Sequence, residues 1–298
     1  MLLLKKGNPI LGNLKDNLNS WFLAVRPKTL AASICPVVIG SVLAYKEGYF
    51  AWIWLALSVS AALLVQIGTN LANDYYDFKK GADTAARIGP IRVTQSGLIA
   101  PHRVKFAFIL CFVLAFLMAL YLAYRGGWPI IVIGVLSILF GYLYTGGPYP
   151  LAYSGLGDIT AFVFFGPVAV AGTYYVHVLS WSFESVLIGM APGLFSMGIL
   201  AVNNLRDVIG DAIANKRTLA VRFGVKFVRL EYVFSIAAAV FLGMSRVSVW
   251  MGAVFIPALP IIKVVLNCDG EILNKALADT GRLLVIYTIL FTAITCLM

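Results

Sequence analysis

The stretch AWIWLALSVSAALLVQIGTNLANDYYDFKKGAD, residues 51–83, joins two kinds of sequence. Its first part, 51–73, has no charged side chain. As a helix rising 1.5 Å per residue, it is long enough to cross about 30 Å of hydrocarbon. Its second part turns abruptly polar. If the helix continues, Asn70, Asp74 and Asp77 fall at i, i+4 and i+7, on one face. A membrane helix that ends this way sets a stripe of carboxamides and carboxylates at one membrane face.

Outward from this span the apolar pattern recurs. Segments 29–45, 51–73, 103–124, 128–146, 155–176, 183–205, 226–243, 247–266 and 280–298 predict about nine transmembrane helices. The chain is 61% hydrophobic and 12% charged, with mean hydropathy +0.90, whereas soluble domains carry roughly 25% charged residues. The reading is an all-α polytopic membrane protein. No long polar linker divides the spans, which gives a single domain over 1–298 with a cytosolic N-terminal arm over 1–25. That arm lacks the pattern of a cleavable signal. The four cysteines are scattered without metal-ligand spacing, and the two histidines, His102 and His177, are predicted at opposite faces. Any metal would need oxygen ligands.

Most of the 23 Lys and Arg gather in three places: the N-terminal arm with the start of the first span, the loop after the second span, and the loop after the sixth. With nine spans these share one side. The positive-inside rule puts that side in the cytosol and the C-terminus outside, across the cell (inner) membrane. Topology and anionic lipid headgroups thus account for the net charge of +10, with no nucleic-acid partner needed. Arg26 and Lys28 fit such headgroup anchors.

The sixth span ends in Asn203-Asn204-Leu205-Arg206-Asp207-Val-Ile-Gly-Asp211, where Asn203, Asp207 and Asp211 fall at i, i+4 and i+8. The stripe recurs four spans later on the same side, which points to two pseudo-repeated four-helix sets. Facing carboxylates at membrane depth repel one another unless a cation neutralises them. Mg2+ suits the place, since it takes hard oxygen ligands and is commonly held by one or two carboxylates plus phosphate oxygens. Lys79, Lys80, Arg87 and Arg92 follow the first stripe, and Lys216, Arg217 and Arg222 the second. Acid followed by base suits a metal-bridged diphosphate whose other oxygens need donors. A transporter is the rival from another class, but it would place acids at mid-span in inverted repeats. Here the acids cluster at one face and the repeat is parallel.

The two stripes read Asn73-Asp74-Tyr-Tyr-Asp77 through Asp83, and Asp207 through Asp211. The second runs on into Asn215-Lys216-Arg217-Thr218-Leu219-Ala220-Val221-Arg222-Phe223-Gly224. In these motifs the chain resembles the UbiA superfamily of intramembrane aromatic prenyltransferases, with Asn215 where Gly is usual. Four further stretches are similar to the branch that prenylates 1,4-dihydroxy-2-naphthoate: WFLAVRPKTL (21–30), RVTQSGL (92–98), YTGGPYPLAYSGLGD (144–158) and NNLRD (203–207). Asp158 stands where that branch more often has Glu.

The resemblance implies a UbiA-type bundle and transfer of a polyprenyl group from an allylic polyprenyl diphosphate to 1,4-dihydroxy-2-naphthoate. Decarboxylation would give demethylmenaquinol, a step of menaquinone biosynthesis. Transfer to 4-hydroxybenzoate or another aromatic acceptor is the alternative. It further implies Mg2+ on Asp74, Asp77, Asp207 and Asp211, directly or through water, with Asn70, Asn73 and Asn203 supporting them or touching the diphosphate. Arg87, Arg92, Lys216 and Arg217 become donors to the diphosphate or the substrate carboxylate. Tyr144 and Asp158 would position the ring, although Tyr144 also reads as an interfacial aromatic. Surrounding lipid is the remaining partner.

Overall fold

A computed structural model of the chain describes residues 9–82 and 88–297. Each predicted span is helical in its described residues, the fifth and the eighth in more than one piece. Following α1 (Pro9–Val25), the first set comprises α2 (Pro27–Lys46), α3 (Trp52–Lys79), α4 (Pro101–Gly126) and α5 (Trp128–Leu143). The second set runs through α6 (Gly157–Val163), a π-helical turn (Phe164–Val168) and α7 (Ala169–Val178), then α8 (Phe183–Ile213), the short α9 (Leu219–Phe223), α10 (Val225–Arg246) and α11 (Phe255–Asn267). Helix α12 (Leu273–Leu297) completes the bundle.

Among the described residues, eight helical segments are long and apolar enough to cross a membrane, and α5 is a shorter apolar ninth. Its 16 residues span only about 24 Å, less than the hydrocarbon thickness. By contrast α3 and α8, at 28 and 31 residues, reach roughly 42 and 46 Å and overshoot it. The Asn/Asp stripes occupy those overshoots. The excess length is what carries the carboxylates out of the lipid core without ending the helix that aligns them.

The most extensive contact in the first set is α3 with α4, and in the second the corresponding pair, α8 with α10. Helix α2 joins the sets, touching α3, α7, α8 and α12. The largest core lies around α2, α8, α10 and α12, with Phe195, Tyr232, Tyr287 and Phe291 almost wholly buried. Apolar residues also point outward, such as Phe106 and Tyr121 on α4, Phe234 on α10 and Ile256 on α11. In water such a surface would drive aggregation, and in lipid it is the solvent-matched one.

Polar atoms inside the spans are mostly satisfied locally. Thr69, Ser196, Ser235, Thr280 and Thr288 each donate to the carbonyl four residues back, as hydrocarbon offers no other partner. The break between α6 and α7 has a packing cause. At Gly166, ahead of Pro167, the backbone leaves helical geometry, and a Cβ there would stand 2.7 Å from the Gly189 carbonyl oxygen and the Gly193 Cα. Small residues let these two helices cross at backbone distance. The chain is an integral membrane protein whose helix ends gather two Asp stripes at one end of the bundle.

The described part of the N-terminal arm is helical. Residues 9–25 form α1, and Arg26 breaks the chain at φ 55 before α2 starts at Pro27. A left-handed arginine costs roughly 1–2 kcal/mol. The bend turns its side chain inward.

Candidate active site

One cavity of about 880 Å3 opens between the two helix sets. Its polar mouth is lined by Asn70, Asn73 and Asp77 from α3, by Asn203, Asn204, Arg206, Asp207 and Asp211 from α8, and by Arg26, Arg92 and Lys216. Its depth is apolar, walled by small side chains such as Ala62, Ala119 and Gly172 and by larger ones such as Leu122, Ile133 and Val176. A charged mouth continuous with an apolar interior matches a molecule with a charged head and a long hydrocarbon tail.

Asp77 is the hub of the mouth. One carboxylate oxygen meets Arg92 Nη2 at 3.2 Å and Lys216 Nζ at 3.0 Å, and the other accepts from the Tyr153 hydroxyl at 2.8 Å. Two ammonium groups lie over the Tyr153 ring, Lys80 at 4.5 Å and Lys216 at 4.9 Å from its centroid. Lys80 also donates to the Thr145 carbonyl at 2.7 Å. Burial pulls its ammonium below the ordinary lysine range, and Asp77 opposes that pull. Cation–π contact and the Asp77 charge together stabilise this dense cluster of cations.

Asp74 serves a different end. It does not line the cavity, and its two oxygens accept from the backbone N–H groups of Thr94 at 2.9 Å and Val93 at 3.2 Å, with Arg26 at 3.9 Å. It fastens the loop that delivers Arg92. Asn70 ties α3 to the α1–α2 junction through the Val25 carbonyl and the Thr29 hydroxyl, both at 3.0 Å. Asn73 accepts from Thr145 at 2.7 Å.

On α8, Arg206 grips Asp207 with two bonds, at 2.8 and 2.6 Å, and reaches Asn203 at 2.7 Å and Asn274 of α12 at 2.9 Å. Asp158 is buried at the start of α6, and both its oxygens face the Asn204 amide at 3.1 and 3.2 Å. The Tyr144 hydroxyl lies beside Gly157 and faces the same cavity.

The four carboxylates expected to hold a metal are placed unequally. Asp77, Asp207 and Asp211 face one cavity, whereas Asp74 is engaged by the 93–94 backbone. Among the described residues no three His, Cys, Asp or Glu side chains converge as a ready-made metal cluster. Arg92, Lys216 and Arg206 neutralise the acids they border. Asn70, Asn73, Asn203, Arg92, Lys216, Tyr144 and Asp158 line the cavity, but the exposed Arg217 does not. Arg217 contributes its backbone N–H to the Tyr153 carbonyl at 3.0 Å. Arg87 and Asp83 lie outside the described residues.

Sequence reasoning missed Tyr153, Thr145, Asn204 and Arg206, though all four stand in stretches already quoted. It took Arg26 for a headgroup anchor, and the structure turns it onto Asp74 and the cavity. Asn215 has φ 55, a left-handed position that glycine fills freely and asparagine tolerates better than most residues. That explains the departure from the usual Gly.

Comparison with known proteins agrees with this geometry. The profile of the UbiA prenyltransferase family matches residues 33–274. The 1,4-dihydroxy-2-naphthoate octaprenyltransferase of Haemophilus influenzae is 33% identical, over 94% of this chain and 96% of that protein. The protein of the same name from Mycobacterium tuberculosis is 40% identical, over 74% of this chain and 75% of that one. The structure of a UbiA homolog from Archaeoglobus fulgidus bound to DMAPP and Mg2+ shares the fold, at TM-score 0.62 and 12% identity over 92% of this chain and 99% of that one. With two Asp stripes at one end of a helical bundle and a family match over residues 33–274, this chain belongs to the UbiA prenyltransferase family.

Proposed function

We propose that this protein transfers a polyprenyl group from a polyprenyl diphosphate to 1,4-dihydroxy-2-naphthoate, with loss of the carboxylate, in menaquinone biosynthesis. The observation that carries the proposal is the cavity, in which a mouth of acids and bases runs without a break into an apolar interior. The names of the naphthoate octaprenyltransferase relatives, one of them aligned over nearly the whole chain, support the acceptor. By the positive-inside rule, the mouth and the N-terminus face the cytosol.

The donor set fits a hard divalent cation. The acids facing the mouth offer oxygen only, from α3 and α8, and Mg2+ needs no more than one or two carboxylates when phosphate oxygens complete its shell. Asp77, Asp207 and Asp211 would hold it, directly or through water, and Asp74 would join them by releasing the 93–94 backbone. When bound, Mg2+ neutralises charge on the departing diphosphate. Lys216, Arg92 and Arg26 donate to the remaining phosphate oxygens, which lowers the barrier to breaking the allylic C–O bond. The apolar depth holds the tail, so the allylic carbon stays at the mouth. Tyr144 and Asp158, with Asn204 fixing the carboxylate, flank the ring. The ring carbon forms the new C–C bond with the allylic carbon, and electrons from the departing carboxylate restore the aromatic diol.

Purified protein in liposomes, given labelled polyprenyl diphosphate and either 1,4-dihydroxy-2-naphthoate or 4-hydroxybenzoate, tests this. Product is expected from the naphthoate only, dependent on Mg2+ and lost in Asp207→Ala. Product from hydroxybenzoate alone would overturn the acceptor and leave the prenyl chemistry standing. No turnover of either by folded protein would overturn both.

A further inference from the structure

The end of the bundle opposite the active-site mouth holds a second cavity of about 340 Å3. It forms where the C-terminal ends of α2, α10 and α12 meet the N-terminal end of α8. Its rim carries both signs, Lys46 and Arg246 against Glu47 and Glu184. Arg246 Nη1 lies 3.5 Å from Glu184 Oε2, with these side chains 45% and 47% exposed, so the pair is loosely held and open to exchange. Glu47 is fixed by the Tyr174 hydroxyl. Behind the rim the wall is apolar, from Leu43, Ile188 and Phe291. Thr295 lines the same cavity at 6% exposure, and its hydroxyl has no hydrogen-bond partner.

We propose that this cavity seats the headgroup of a zwitterionic phospholipid bearing a primary ammonium. The phosphate takes Lys46 and Arg246, the ammonium takes Glu47 and Glu184, and Leu43, Ile188 and Phe291 close the cavity behind the headgroup. Two cations alone would select an anionic lipid, but the two carboxylates cancel that preference. They also supply acceptors for the three N–H donors of an ammonium group. A quaternary ammonium has no N–H to give. The position supports a lipid, because these charges end membrane-spanning helices.

The test is native mass spectrometry of the full chain in detergent, titrated with phosphatidylethanolamine, phosphatidylglycerol or phosphatidylcholine of matched acyl chains. Soluble O-phosphoethanolamine forms a fourth arm. Phosphatidylethanolamine is expected to be retained about tenfold better than the other two lipids, the ratio that one charge-assisted bond supplies. The Glu47→Gln/Glu184→Gln double variant should lose that preference, and Ile188→Trp should lower retention of every lipid. Equal retention of the three lipids by wild type would overturn the proposal, as would preference for phosphatidylglycerol or an unchanged preference in the double variant. Displacement of the lipid by equimolar O-phosphoethanolamine would assign the site to a soluble ligand instead. The wild-type ranking decides the matter even if a variant folds poorly, and prenyl transfer at the other face reports that folding separately.

Discussion

Removing the cation on one side of Asp77 tests whether the mouth is held together as the distances indicate. In Lys216→Met the stem survives and the ammonium 3.0 Å from Asp77 is lost. Asp77 is almost wholly buried, and the Lys216 and Arg92 side chains are 11% and 7% exposed, so solvent screening is weak. A charge-assisted bond contributes roughly 1.5–3 kcal/mol. Arg92 and Tyr153 still hold the carboxylate, which places Lys216→Met at a loss of about 2 kcal/mol. Asp77→Asn removes both ion pairs and leaves two cations facing each other, for a loss of about 3 kcal/mol. In the double variant the stranded ammonium is gone, so the total stays near 3 and falls well short of the sum. At roughly 2 °C per kcal/mol for a chain this long, the single variants melt about 4 and 6 °C lower and the double about 6 °C lower. The measurement is thermal unfolding in one detergent, followed by tryptophan fluorescence. Additivity within about 0.5 kcal/mol would refute the coupling, and an unchanged melting point for Lys216→Met would refute the ion pair.

Further outcomes follow from the same geometry. Asn215→Gly should leave stability within about 0.5 kcal/mol, while Asn215→Val, forced into the left-handed region, should lose roughly 1–2 kcal/mol in the same melt. Asp74→Ala strips the Val93 and Thr94 N–H groups of their acceptor. Limited proteolysis should then cut between residues 88 and 100 several times faster than in wild type, and an unchanged rate would remove Asp74 from the role of loop fastener. Chelation should abolish transfer and added Mg2+ restore it, yet the melting point should move by less than about 2 °C, since Arg92, Lys216 and Arg206 already neutralise their neighbouring acids. Asn204→Leu leaves the buried Asp158 carboxylate without its amide. Transfer should fall at least tenfold with binding of the prenyl diphosphate unchanged, a difference that isotope-labelled substrate binding measures directly.

The architecture was legible because hydrocarbon allows few solutions. Uncharged runs as long as 51–73 have to be helices, and the Asn70/Asp74/Asp77 spacing has meaning only if the helix continues, as α3 does to Lys79. The partners of those acids were not legible. Asp77 meets Tyr153 and Lys216, 76 and 139 positions away, and periodicity along one helix carries no information about loops brought to it by others. The roles of Asp74 and Asp77 diverge for the same reason. On the helix they are equivalent, three residues apart, and they differ only in whether a loop backbone or a set of side chains meets them. Arg26 was misread because Arg before Pro at the start of a span is what a headgroup anchor looks like. Its left-handed φ, which turns it inward, has no signature in the residue type.

The self-neutralised mouth around Asp77 has a thermodynamic consequence. An incoming diphosphate competes with Asp77 for Lys216 and Arg92, and an incoming divalent ion competes with those cations for Asp77. Whichever arrives first removes the other's competitor. Their affinities are therefore linked, each tightening the other's Kd by the same factor. On the proposed function, metal and allylic diphosphate would behave as one composite ligand, each opening the ion pairs that oppose the other.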